Sequence, residues 1–469
     1  MGKDLRQFLQ VVKEVSPDFY VEVKKPLKPK LEVAVIQEKL AKEDRFPVVY
    51  CPEIEGSRLP LVTNLFGSYE MLGLALGIDT RKVGKAESLK EFRRRVADTK
   101  PPQEVPASQA PIKEIILQGK DVDLGLLPIT QHAELDSGKY ITIGCMICKN
   151  PDTGVPNVGV YRHEVKGKDK LGCRIEPGHH AAYNARRHDE LGKPMEVVIF
   201  IGHHPAVVLG ALTPGGGLDM NELELAGGLL GEPLPVTPAE TVDLPVPAHA
   251  EIAIEGVMDP PHYTSTDGPF AEFAGYYGEG NKPCYLITVK AITMRRDAIY
   301  HDLDNAHQEH NLSTTLSFES AVYDAVRRVV PTVKGVHYPI SGVGVFHTYV
   351  SIKKRVQGEG KLAGLAALTA NTDTKLVVVV DEDIDVYNEQ EVLWAMATRV
   401  EGDLDIHAIP GVTGIPLDPT AYDETRYNRG HMTTKTIIDA TKPVDLPFAT
   451  RITPPKELWN YMNLADYLK

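Results

Sequence analysis

The chain has 469 residues, 51 of them basic and 64 acidic, for a net charge of −13. That length supports two or three domains with a sizeable core, and the acidic balance excludes a nucleic-acid surface or an anionic membrane as the main partner. No stretch approaches the ~20 apolar residues of a membrane span. The N-terminal MGKDLRQFLQ lacks a signal peptide's apolar core, and Arg6 stands where an N-myristoylation motif needs Ser or Thr. A cytoplasmic enzyme is expected.

In chain order, DLRQFLQVVKE predicts an amphipathic helix with Asp4 near its start. DFYVEV and PVVYC read as strands, LEVAVIQEKLAKE and ESLKEFRRRVADT as helices, and the proline-rich stretch from Lys100 to Glu114 as a linker. From about Ile115 to Ile299 the pattern turns strand-rich, with KYITIGCMICKNPDTGVPNVGVYRHEV reading as two strands around a Pro-Asp-Thr-Gly turn. A barrel-like antiparallel sheet with helical inserts follows. LSTTLSFESAVYDAVRRVV predicts a long linking helix with a stripe of Phe318, Val322, Ala325 and Val329, stopped by Pro331. Beyond it, strands and helices alternate as in a small α/β domain, and the last thirty residues read as an apolar tail that docks on a partner. The fold class is thus α+β, with segments 1–110, 111–310, 311–331, 332–440 and 441–469.

Several motifs have an ordinary structural reading beside a chemical one. The five cysteines form no disulfide framework. Cys145 and Cys148 have CxxC spacing, but on a strand they point to opposite faces, so buried structural thiols are expected. LTPGGGLDMNE opens a helix and could meet an anion, but it matches no phosphate-binding fingerprint, and a flexible loop is the preferred reading. The acids of DEDIDVYNEQE suit the start of the next helix better than a cation. Asn157, a histidine and Glu240 would offer two oxygens and one imidazole, a set for Mg²⁺ or Mn²⁺ rather than structural zinc. Spacing alone does not bring them together. Nor does it align Asn157 with Arg162, which an odd offset puts on opposite faces unless a bulge intervenes. TDGPFAEFAGYY sets Asp267 and Glu272 on a Gly-Pro turn among aromatic residues.

NVGVYR, EPGHH, AETVDLPVPAHAEIAIEG, DGPFAEFAGYY, ITMRRDAIYH and DEDIDVYNEQEVLWAMATR, in that order, resemble the UbiD family of decarboxylases, which use a prenylated flavin mononucleotide. The resemblance implies an N-terminal α/β part, a split-barrel flavin domain, a linking helix and a C-terminal α/β domain that dimerises. It implies a manganese (or magnesium) ion held by Asn157, His180 and Glu240, a nearby potassium ion on backbone oxygens, and a cofactor wall of Val158, Gly159, Val160 and Tyr161. A one-residue slip would exchange His180 for His179. The family's catalytic network falls on Arg162, Asp267 and Glu272, with Asp267 a departure from the more usual Glu.

The implied chemistry asks for these types. Loss of CO₂ leaves a carbanion equivalent that a general acid must quench, and an apolar setting beside a second carboxylate raises an acid's pKa toward neutrality. Glu272 is therefore expected to donate the proton and Asp267 to pair with Arg162. The segment DLDNAHQEHNLST resembles the heteroaromatic-acid subgroup, which puts His310 and Asn311 near the ring of a pyrrole- or furan-2-carboxylate; alternatively, Asn311 caps the following helix. Further alternatives are a hydroxybenzoate-type decarboxylase and a flavin-binding protein without turnover. A flavin prenyltransferase as cofactor supplier and a homodimer or higher oligomer complete the implied partners.

Overall fold

Asp4 caps the first helix, Leu5–Val15, by accepting the Gln7 N–H at 2.9 Å, and the helix buries Leu5, Phe8, Leu9 and Val12. The computed structural model describes residues 3–213, 216–421 and 431–468, so Pro214 and Gly215 of the glycine-rich loop lie outside the described residues. A four-stranded sheet follows the first helix, in the order Tyr20–Glu22, Val48–Cys51, Leu61–Thr63 and Tyr300–His301. Its last strand comes from beyond the barrel, and Gln103–Glu104 pairs with Pro235–Pro238, so sheet pairing crosses between the first and second expected segments.

Six antiparallel strands close the central barrel. Tyr140–Lys149 is followed around it by Pro156–Val165, Lys170–Arg174, Lys282–Met294, Ile252–Met258 and Met195–Ile201, which returns to the first. Closure depends on the 13-residue strand Lys282–Met294, whose first half pairs with Lys170–Arg174 and second half with Ile252–Met258. At its crossing the register shifts beside Gly256, where a Cβ would lie 2.7 Å from Ile287 Cγ2, so only glycine fits. Along Tyr140–Lys149 the side chains alternate between two apolar clusters: Ile143, Cys145 and Ile147 join one, Met146 and Cys148 the other. The CxxC pair is therefore split across the barrel wall, and all five cysteines are free and buried.

The linking helix spans Thr315–Val329 and stops before Pro331, as expected. Its buried stripe is Leu316, Glu319, Val322 and Val326, whereas Val329 is 48% exposed. The expected stripe was out of phase in its second half because Val330, beyond the helix, fills the core position instead. The C-terminal sheet runs Val333–His337, His347–Ile352, Leu376–Asp381, Met432–Ala440 and Ile406–Thr413, with parallel central pairs and antiparallel edges. Val377 and Val379 pack in one cluster and Val378 and Val380 in another, which explains an unbroken valine run in a sheet covered on both faces. Asp381 and Asp383 pair with Arg399 at 2.8 Å each, while Glu389 and Glu391 sit in the first turn of the next helix, so these acids have structural roles. The tail beyond Thr441 leaves Ile452 98%, Trp459 72% and Tyr461 78% exposed. No described helix is long and apolar enough to cross a membrane.

Candidate active site

The strand Pro156–Val165 connects two cavities. The larger, about 520 Å³, is lined by Asn157, Val158, Gly159, Val160 and Tyr161 of this strand, by His179 and His180, by Glu222, and by Asn371–Asp373 of the C-terminal domain. That volume is within the usual range for a cofactor site. The smaller, about 320 Å³, is lined by Arg162, Glu272, Arg174 and Lys282 of the barrel domain and by Pro416 and Leu417 of the C-terminal domain. Opposite Arg162 the register shifts between Ile141 and Gly144, with the extra residue on that neighbouring strand, so no bulge interrupts Asn157 to Arg162 and the two side chains line different cavities.

Arg162 contacts both acids of the Gly-Pro turn. Its Nε and Nη2 donate to Asp267 Oδ2 at 3.1 and 2.5 Å, and Nη1 donates to Glu272 Oε1 at 2.5 Å. The expectation of Asp267 as the Arg162 partner thus covers only part of the geometry. One guanidinium bridges both carboxylates, and its face lies 4.7 Å from the Phe270 ring. Asp267 and Glu272 are both buried, and Asp267 Oδ1 has no hydrogen-bond partner among the described residues. Burial raises the pKa of Glu272 above the usual carboxylate range, Arg162 opposes this, and the Asp267 charge adds to the rise. A buried acid beside a second carboxylate and a fixed cation can hold or release one proton at a defined place.

In the larger cavity Asn157 Nδ2 donates to Glu222 Oε1 at 3.0 Å, and the Val158 N–H donates to Glu222 Oε2 at 2.8 Å. Burial raises the Glu222 pKa, and these two donors pull it back. Among the described residues no Lys or Arg pairs with this carboxylate. His180 opens the helix His180–Glu190, and His179 precedes it at the N-cap position, its ring 5.7 Å from that of Tyr161. Burial lowers the His179 pKa.

Glu240 is the one expected ligand that the fold does not bring here. Its carboxylate pairs with Lys113 Nζ at 2.9 Å, and its backbone N–H is clamped at 2.9 Å by the fully buried Glu255, in a separate recess beside Val105 and Thr237. Glu222 occupies the place expected for it. A signal was present in the sequence: an acid at the start of the helix that follows a glycine-rich loop, where the dipole tolerates a buried carboxylate, although Asp219 and Glu224 stand close by. The donor set of one amide, one imidazole and one carboxylate, around an anion without a cationic side chain, fits a hard divalent cation. Among the described residues no three His, Cys, Asp or Glu side chains converge on a metal position.

His310 and Asn311 lie outside the lining of both cavities. The His310 ring stacks on Phe273, one residue beyond Glu272, with centroids 6.1 Å apart. Burial lowers its pKa to about 4, so it is neutral at pH 7. Asn311 lies inside the helix Gln308–Ser313, which His307 caps, so it caps no helix, and its buried Oδ1 has no partner among the described residues.

Models of the 3-octaprenyl-4-hydroxybenzoate carboxy-lyase, UbiD, match nearly the whole chain: its N-terminal domain at residues 9–95, its Rift-related domain at 103–305 and its C-terminal domain at 314–440. The chain belongs to the UbiD family. It is 40% identical over 323 residues to the anhydromevalonate phosphate decarboxylase of Methanothermobacter thermautotrophicus, covering 69% of this chain and 74% of that one. It is 32% identical to the phenolic acid decarboxylase of Sedimentibacter hydroxybenzoicus, covering 94% and 92%. Among solved structures, the UbiD-class enzyme HmfF from Pelotomaculum thermopropionicum in complex with FMN superimposes with a TM-score of 0.90 at 35% identity, covering 99% of this chain and 100% of that one. An evolved dimeric form of HmfF, in complex with prFMN, gives 0.87 at 33% identity with full coverage of both chains. The UbiD relatives named here are decarboxylases, and this chain is a carboxy-lyase of the same class.

Proposed function

We propose that this UbiD-family chain decarboxylates a small (hetero)aromatic or α,β-unsaturated carboxylic acid, reversibly and without net oxidation, with prenylated FMN as cofactor. The observation that carries this reading is the Arg162 bridge between Asp267 and Glu272, on the same strand as the Asn157 wall of a cofactor-sized cavity. Asn157, His180 and Glu222 would hold a Mn²⁺ or Mg²⁺ ion that ties the cofactor phosphate to the barrel, with a K⁺ ion nearby. When bound, the prenylated flavin supplies an electrophilic centre that stabilises the electrons left by departing CO₂.

The protein's own contribution is positional and protonic. Arg162 fixes the two acids against each other and pairs with Asp267. Glu272, which burial holds toward its neutral form, delivers its proton to the carbon that carried the carboxylate. The aromatic rings of Phe270 and Phe273, both buried, keep water from competing for that proton. Pyrrole- or furan-2-carboxylate is the leading substrate, on the resemblance of the segment DLDNAHQEHNLST to the heteroaromatic-acid subgroup. The exposed apolar tail suits contact with a second copy of the chain.

The test is a panel of acids offered to enzyme co-produced with a flavin prenyltransferase, with CO₂ release measured. The panel holds pyrrole- and furan-2-carboxylate, phenolic acids, cinnamic acids and anhydromevalonate phosphate. Turnover of the heteroaromatic acids is expected. Turnover of phenolic or cinnamic acids alone overturns the substrate, and bound flavin without any CO₂ release overturns the reaction. Glu272→Gln is expected to lower kcat by roughly 100-fold or more and to abolish solvent-deuterium exchange into the product.

A further inference from the structure

The segment from Leu135 to Tyr140 lies against the Gly-Pro turn and makes four hydrogen bonds to it. Two are backbone supports: the Ser137 N–H donates to the Pro269 carbonyl at 2.9 Å, and the Leu135 N–H donates to Tyr277 Oη at 3.2 Å. The other two are side-chain clamps placed with respect to the acids. Tyr140 Oη accepts the N–H of Gly268, the residue just after Asp267, at 3.2 Å. Asp136 Oδ1 accepts the N–H of Ala271, the residue just before Glu272, at 2.8 Å.

Both clamps are themselves immobilised. Tyr140 is fully buried, its hydroxyl lies 2.7 Å from Ser137 Oγ and donates to Glu164 at 3.1 Å, and Glu164 is in turn paired with Lys166 at 2.6 Å. Its ring lies 4.5 Å from that of Phe270, the residue under the Arg162 guanidinium. Asp136 is buried, and its second oxygen accepts the Ala133 N–H at 2.9 Å. An acceptor at each inner flank of the acid pair fixes where the two carboxylates stand, and displacement of a reacting group by about 1 Å can cost roughly 100-fold in rate.

We propose that Asp136 and Tyr140 are positioning residues for the acid pair: by holding the Gly268 and Ala271 amides they keep Asp267 and Glu272 within reach of one Arg162 guanidinium. Neither side chain is among those lining the two cavities, so neither is a catalytic residue. The proposal rests on the reading of Arg162, Asp267 and Glu272 as the proton-handling network.

The experiment compares Tyr140→Phe, Asp136→Ala and Asp136→Asn with the wild type, each loaded with cofactor. Tyr140→Phe keeps the ring contact and removes the hydroxyl, and with it the acceptor for Gly268 and the bonds to Ser137 and Glu164, while Asp136→Asn keeps an oxygen for the Ala271 N–H. Two readouts are taken: steady-state kinetics, and hydrogen–deuterium exchange over residues 266–275. Expected are a fall in kcat of at least 10-fold in Tyr140→Phe and Asp136→Ala with KM changed less than 3-fold, faster exchange of the turn, and substantial recovery of both in Asp136→Asn. Faster exchange with wild-type kcat overturns the positioning role, as does unchanged exchange in either deletion. If Asp136→Ala does not fold, Tyr140→Phe alone decides. Exchange needs no turnover, so a wild type inactive on every acid sinks the functional reading while the exchange comparison still judges the clamps.

Discussion

Asn157 and Glu222 share a hydrogen bond of 3.0 Å across the wall of the larger cavity, although 64 residues separate them in the chain. The contact gives a buried carboxylate two N–H donors and, among the described residues, no cationic side chain, an arrangement costly in an apolar wall and favourable once a divalent cation shares it.

Glu222→Ala is therefore expected to lower bound Mn²⁺ and retained flavin by at least about 10-fold, measured by metal analysis and the absorbance of the purified protein. Glu240→Ala should retain both, because its carboxylate serves Lys113. The reverse pattern would restore Glu240 as the ligand and refute Glu222.

A second prediction concerns pH. Burial alone would lower the His132 pKa, but its contact of 2.9 Å with the buried Asp302 outweighs that and raises it from 6.5 to about 9. A group whose folded pKa is raised stabilises the fold fully below its unfolded value and loses that contribution as pH climbs through the folded one. The pair should thus add on the order of 3 kcal/mol below pH about 6.5, fading through about 9. Urea unfolding between pH 6 and 10 should show this decline in the wild type and a flatter profile in His132→Gln. Equal slopes would rule the pair out as its source.

The thiols offer a third check. Burial pushes Cys51 and Cys148 up to about 12 and Cys284 up to about 11, and raises Cys145 and Cys173 as well. A thiol-titrating disulfide reagent should find none of the five reactive in native protein and all five after denaturation. Rapid native labelling of Cys145 or Cys148 would contradict the split CxxC.

On the linking helix, Val326 is fully buried and Val329 is 48% exposed. Val326→Ala should cost roughly 2 kcal/mol of unfolding free energy, for about two lost methylene equivalents plus a cavity. Val329→Ala should stay within about 0.5 kcal/mol. A larger cost at Val329 than at Val326 would mean that the stripe runs as the sequence periodicity alone suggested.

Local chemistry was legible where one element carries it. The Asp4 cap, the stop before Pro331 and the opposite faces of Cys145 and Cys148 each follow from residues a few positions apart. The residues alone set Asp267 and Glu272 on a Gly-Pro turn among aromatic side chains, and the family resemblance implied their network with Arg162. The helical stripe failed at Val329 because the chain leaves the helix there, and the following Val330 takes the core position that periodicity had assigned.

By itself, the sequence determined the α+β class, which hydrophobic pattern encodes, and the six-segment resemblance to UbiD decarboxylases, which implied the Arg162, Asp267, Glu272 trio. Only the tertiary structure decided which acid faces Asn157. Glu222 and Glu240 are the same residue type and only 18 positions apart, but one starts a helix packed on the barrel and the other is held away by Glu255 and Lys113. Barrel closure, not spacing, selects between them, because it sets which side chains converge from strands and helices that are remote in the chain.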